Sequence, residues 1–106
     1  MSCQSLIDIG SQELQIVHNI LERHVPDSTV WVFGSRATGR AKKFSDLDLC
    51  IKAPQRMSLE LVSAMAEDFA ESDLPWKVDI VDWWSISEAF RQIIERDQVL
   101  LQPGQV

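Results

Sequence analysis

The chain has 106 residues, 45% hydrophobic and 25% charged, with a formal net charge of −6. That length fits one domain, residues 1–106, around one core, and the composition excludes a disordered or fibrous class. The negative charge opposes direct binding to nucleic acid, whose phosphates need neutralising, and no apolar run approaches the length of a membrane span.

The first ten residues carry no basic stretch ahead of an apolar core, so no signal peptide is expected. The two cysteines, Cys3 and Cys50, are not a CxxC pair. A reduced, cytoplasmic chain is the simpler reading. Leu6, Ile7 and Ile9 are weakly patterned. From Ser11, read as an N-cap, Leu14, Val17, Ile20 and Leu21 recur at helical spacing, and Pro26 closes the helix. His18 and His24 lie six apart without a Cys or acid at ligand spacing, so both read as ordinary histidines. Thr29 to Phe33 is β-branched and aromatic with little alternation, a strand buried on both faces.

A Gly34-Ser35 turn follows, then a short helix from Arg36 broken at Gly39. Ser45 to Lys52 alternates cleanly, with Asp46, Asp48 and Cys50 on one face and Leu47, Leu49 and Ile51 on the other. Ser58 caps a helix over about 59–72 with Leu61, Val62, Met65 and Phe69 as its buried stripe. Lys77 to Asp82 is a third strand, with Val78 and Ile80 opposed to Asp79 and Val81. Ser85-Ile86-Ser87-Glu88 reads as a capping box for a last helix to about Asp97, whose core face is Phe90, Ile93 and Ile94. Val99 to Leu101 forms a final short strand. The order α-β-α-β-α-β-α-β, with few strands, predicts a mixed α+β fold: a small mixed β-sheet with helices packed on it.

The chemistry lies between the first two strands. Asp46 and Asp48 share a face, with Cα atoms about 6.5 to 7 Å apart. Two carboxylates so close repel each other unless a cation lies between them, and hard oxygen ligands suit Mg²⁺. Asp79 is the first choice for a third carboxylate and Asp82 the second. Two Mg²⁺ ions about 3.5 to 4 Å apart could clamp an in-line displacement at phosphorus. Gly34 lets backbone approach a phosphate, Ser35 offers a hydroxyl, and Arg36 offers a positive charge. Arg36, Arg40, Lys42 and Lys43 place four of the ten basic residues close together. On an acidic body, that favours a small polyanion such as a nucleoside triphosphate.

Gly34-Ser35, ten residues, then Asp46-x-Asp48 resembles the signature of the DNA polymerase β-like nucleotidyltransferase superfamily. The wording Phe33-Gly-Ser-Arg-Ala-Thr-Gly and Ser45-Asp-Leu-Asp-Leu looks like its minimal nucleotidyltransferases, the MNT group, over nearly the whole chain. The resemblance implies the polymerase β-like nucleotidyltransferase fold and Mg²⁺-dependent transfer of a nucleoside monophosphate, with ATP as donor. It assigns Asp46, Asp48 and Asp79 to metal, with Val78 to Asp82 matching the third-acid strand. It implies a HEPN-domain toxin as partner and an antitoxin role, in some members by adenylylating a tyrosine of the toxin. A homo-oligomer, a non-catalytic binding antitoxin or assembly subunit, and a small-molecule transferase with its acceptor domain on another chain stand as alternatives. Larger relatives add helical domains for the acceptor, and this chain is expected to borrow that half from a partner. Trp76, Trp83 and Trp84 crowd around the third strand. One of the adjacent pair is expected at an interface, or else Trp84 staples the last helix and Trp83 lies over the sheet edge.

Overall fold

A computed structural model describes residues 7–104; Cys3 and Leu6 lie outside them. The elements run α1 (Ser11–His24), β1 (Thr29–Phe33), α2 (Ser35–Thr38), β2 (Leu47–Lys52), α3 (Leu59–Glu71), β3 (Val78–Asp82), a 3-10 turn (Trp83–Ser85), α4 (Glu88–Asp97) and β4 (Val99–Gln102). One sheet has the order β3-β2-β1-β4. β1 pairs antiparallel with both β2 and β4, and β2 pairs parallel with β3. A parallel pair cannot be joined by a tight hairpin, and α3 supplies the crossover between β2 and β3.

Strand alternation divides the side chains between two faces. Val30, Val32, Leu47, Leu49, Ile51, Val78, Ile80 and Leu101 pack against Val17, Ile20 and Leu21 of α1 and Met65 and Phe69 of α3. The other face is smaller: Trp31, Phe33 and Cys50 meet Trp83 and, from α4, Phe90 and Ile94. β1 is therefore covered on both sides, although its Val30 and Val32 are fully buried and its aromatic positions only partly. Cys50 is buried, and that burial pushes its thiol up to about 12, leaving it unreactive. Asp48 and Asp79 belong to this second face, beyond the cover of the apolar cluster.

Several boundaries differ from the sequence expectation. α1 is preceded by Gly10, and Ser11 is already helical without capping. β2 starts at Leu47, whose N–H donates to Lys77 O at 2.9 Å, so Ser45 and Asp46 belong to the approaching loop. The cap of α4 is Ser87, whose Oγ accepts from Phe90 N, while Ser85 sits in the 3-10 turn. That turn is set by Asp82, whose carboxylate accepts from Trp84 N at 3.0 Å and from Met57 N at 2.9 Å. Ser58 caps α3 as expected, accepting from Leu61 N. Ile93 is 47% exposed, because α4 turns Phe90 and Ile94 to the sheet instead.

Trp83 is buried against Trp31, their ring centroids 5.7 Å apart. Trp84 stays 41% exposed and donates its indole N–H to Ala53 O at 2.8 Å, so it braces the end of β2. His24 Nε2 meets Asp68 at 2.6 Å and Arg23 meets the same carboxylate at 3.0 Å, tying α1 to α3. This is a structural use of a histidine. Among the described residues no helix is long and apolar enough to cross a membrane.

The packing separates two large residues on α3. Met65 is fully buried and Leu59 is 82% exposed. Met65→Ala is expected to lower stability in urea unfolding by about 2–5 kcal/mol, and Leu59→Ala to change it by less than about 0.5 kcal/mol.

Candidate active site

The site begins where β1 stops. Phe33 is paired with Asp48, so the next residue, Gly34, leaves the sheet beside the Asp48 side chain. Gly34 has φ 77° and ψ −155°, and a Cβ there would lie 2.3 Å from Asp48 Oδ2. Glycine is thus required twice, for the backbone angle and for the space. The Gly34 carbonyl accepts from Ala37 N at 3.0 Å and from Thr38 N and Thr38 Oγ1 at 3.2 Å, which turns the chain into α2. Gly39, left-handed at φ 78°, ends that helix after one turn.

Parallel pairing brings in the next acid. Asp48 is in register with Asp79, so the two carboxyl groups project from neighbouring strands on one face. Asp48 is pushed up from 3.8 to about 6, first by burial, then by the negative charges of Asp79 and Asp46, and by a hydrogen bond with Asp79. Asp46 stands exposed at the end of the loop, near enough to act on Asp48 through its charge. Among the described residues, no three His, Cys, Asp or Glu side chains are already gathered as a metal cage. The donor chemistry nevertheless fits a hard divalent cation: carboxylate oxygens of like charge, in register on neighbouring strands. Asp82 is spent on the Met57 and Trp84 amides and is not part of this group.

Arg36 is not where a phosphate ligand would be. It is 5% exposed, and its guanidinium donates to carbonyl oxygens: Nε to Ser45 at 3.0 Å, one terminal nitrogen to Asp8 at 2.8 Å, and the other to Lys42 and Lys43, each at 3.3 Å. Its plane lies 4.5 Å from the Trp76 ring centre. The expectation that it neutralises phosphate is corrected: the carbonyl-rich loop needs an internal donor, and Arg36 is that donor.

Positive charge comes from elsewhere. A cleft of about 550 Å³ opens beside the turn, lined by Gly34, Ser35, Thr38, Arg40, Arg96 and Asp97. Arg96 lies in the last turn of α4 and pairs with the adjacent Asp97, Nε to Oδ1 at 3.2 Å. Nothing in its local sequence marks it, because only the docking of α4 brings it to a turn some sixty residues earlier in the chain. Lys42 and Lys43 do not line this cleft. Another cavity, about 460 Å³, lies at the opposite end of the β1–β2 pair, between residues 24–28 and 53–58, and contains none of these acids.

A family model described as "Nucleotidyltransferase domain" matches residues 14–103. The chain belongs to the nucleotidyltransferase domain family. It is similar to a curated protein of Haemophilus influenzae (strain Rd) named "Probable protein adenylyltransferase MntA", with 49% identity covering 96% of this chain and 90% of that one. Among solved structures, it is similar to one described as a toxin-antitoxin with AMP-PNP (TM-score 0.74, 25% identity, 87% of this chain and 74% of the other). A complex of tri-AMPylated Shewanella oneidensis HEPN toxin with MNT antitoxin shares the fold (TM-score 0.67, 22% identity, 87% of this chain and 71% of the other). The mixed four-stranded sheet is thus the nucleotidyltransferase fold.

Two outcomes follow from the Gly34 turn and the acid pair beside it. Gly34→Ala is expected to reduce transfer on the order of a hundredfold by driving a methyl group into Asp48. Gly39→Ala, where a Cβ meets nothing within 4 Å, adds only the strain of a positive φ, about 1 kcal/mol. Kinetics and urea unfolding of both variants check this. The second concerns pH. Below 3.8 the Asp48 carboxyl is protonated in folded and unfolded chains alike; as pH rises through about 6 the folded chain must release a proton it holds more tightly, so stability falls. In chelator, Asp48→Asn is expected to be more stable than the parent at pH 7.5, on the order of 1 kcal/mol after solvent screening, with the gain gone at pH 3.5. Thermal unfolding at both pH values reads the difference.

Proposed function

We propose that this chain is a Mg²⁺-dependent protein adenylyltransferase that moves AMP from ATP onto a tyrosine hydroxyl of a HEPN-domain toxin and so acts as its antitoxin. The observation that carries the reading is the Asp48–Asp79 pair held against the Gly34 turn. The similarity to a probable protein adenylyltransferase and to a toxin-antitoxin structure with AMP-PNP supports the choice of donor, role and partner.

Asp46, Asp48 and Asp79 would hold two Mg²⁺ ions, which supply charge neutralisation at the triphosphate and acidify the attacking hydroxyl. Gly34 and Ser35 receive the phosphate end of ATP, where Ser35 Oγ can donate to a phosphate oxygen. Arg40 and Arg96, across the same cleft, offset the charge that builds on the departing pyrophosphate. The hydroxyl oxygen bonds to the α-phosphorus as the bond to the pyrophosphate oxygen breaks. The hydroxyl proton is released to a carboxylate oxygen at the site or to solvent. The products are the AMP ester of the partner and pyrophosphate.

The purified chain, its cognate HEPN partner, ATP and Mg²⁺ are expected to give a partner heavier by AMP in intact-mass measurement, with the adduct on tyrosine. Asp46→Asn and Asp48→Asn are expected to abolish the adduct, as is chelation of the metal. Undiminished labelling by the variants overturns the mechanism. Neutralisation of the partner without ATP, unaffected by either variant, would establish the binding-only antitoxin instead.

A further inference from the structure

The loop between α2 and β2 has two ends with different surroundings. Its first cation, Arg40, lines the cleft beside Gly34 and Ser35, whereas Lys42, Lys43 and Phe44 do not. All three are exposed, and Phe44 is a large aromatic at 66% exposure two residues ahead of Asp46. The cause lies underneath. The carbonyls of Lys42, Lys43 and Ser45 are turned inward to Arg36, Ser45 N donates to Lys42 O at 3.1 Å, and Lys42 N donates to Ser45 Oγ at 2.8 Å. With these backbone groups bonded from within, the loop leaves the side chains of Lys42, Lys43 and Phe44 exposed. Lys43 Nζ sits 5.4 Å from the centre of the Phe44 ring, so the aromatic and the charge form one patch.

We propose that Lys42, Lys43 and Phe44 form the docking surface for the acceptor protein, and that its occupant is an acidic segment with an apolar side chain, adjoining the hydroxyl to be modified. This rests on the reading of a partner protein as acceptor. Charge complementarity carries the choice. The chain as a whole is at −6, whereas this loop puts two exposed lysines and an exposed aromatic immediately ahead of Asp46 in the chain and outside the lining of the Arg40–Arg96 cleft. An RNA strand, also anionic, would have to run its phosphates past the exposed Asp46 and an acidic body, which disfavours it. The hydrogen bonds at Lys42, Lys43 and Ser45 also reduce the backbone freedom lost on binding.

The experiment uses the full chain and its cognate HEPN partner, with K42E/K43E and Phe44→Ala, both exposed changes, compared with the parent. Titration calorimetry is expected to show the partner bound about tenfold or more weakly by K42E/K43E, with a loss of salt dependence, and more weakly by Phe44→Ala. In AMP-transfer kinetics the KM for partner rises while the KM for ATP does not move. Unchanged partner binding in both variants overturns the proposal, as does a KM effect confined to ATP. A short single-stranded RNA that binds the parent, competes with the partner and loses affinity in the same variants would overturn it in favour of nucleic acid. The binding arm needs no catalysis: a parent that binds the partner without transferring AMP defeats the functional reading and leaves the docking surface to be judged by calorimetry.

Discussion

The guanidinium of Arg36 sits beneath the loop that leads into Asp46, with hydrogen-bonding directions filled by carbonyl oxygens of Asp8, Lys42, Lys43 and Ser45. A buried charge normally demands a counterion. Here carbonyl dipoles and the face of Trp76 take that part. The planar fork matters, since a lysine at this position would bring one compact donor centre to four acceptors spread around it. Because Arg36 belongs to α2, directly after the Gly34 turn, the same side chain fixes both ends of the connection between β1 and β2. The turn, the exposed loop and the approach of Asp46 to the sheet all follow from its placement.

The sheet divides the remaining work. One face, filled by α1, α3 and four strands' worth of aliphatic side chains, supplies most of the burial. The other is only partly closed by α4, whose Phe90 and Ile94 cover Phe33 and Cys50 and leave Asp48 and Asp79 open. The same helix carries Arg96 to the cleft at one end and, at the other, has Arg91 donating to Trp83 O at 2.8 Å. A small domain thus obtains a roofed core and an accessible site from one sheet, by placing a ten-residue helix over part of it.

Much of this was legible in the residues. The spacing from Gly34 to Asp48, and the alternation of β2 and β3, point to a turn and to acids on one face, and strand periodicity is a local property. The pairing partner of Asp48 was readable only as a preference for Asp79 over Asp82, because both are acids on one strand; register decides between them. The role of Arg36 was misread for a physical reason. A basic residue after a Gly-Ser turn looks solvent-facing and anion-seeking, and the carbonyls that claim it lie six to nine residues ahead and, in Asp8, far behind. Arg96 was out of reach because its relevance arises from how α4 docks. The exposed Ile93 and the shift of the last cap to Ser87 show the same limit on a smaller scale: helical spacing identifies an apolar stripe, and the neighbouring sheet selects which part of it is used.

The pairing of β2 with β3 sets Leu47 beside Val78, Asp48 beside Asp79 and Leu49 beside Ile80 in one ladder. A slip by a single residue would send Asp79 toward the aliphatic core and bring an apolar side chain to Asp48. The geometry of the acid pair and core formation are therefore checked by the same alignment. A chain that folds with its strands misaligned suffers a large penalty before it could ever present a defective site, so the fold proofreads its own chemistry.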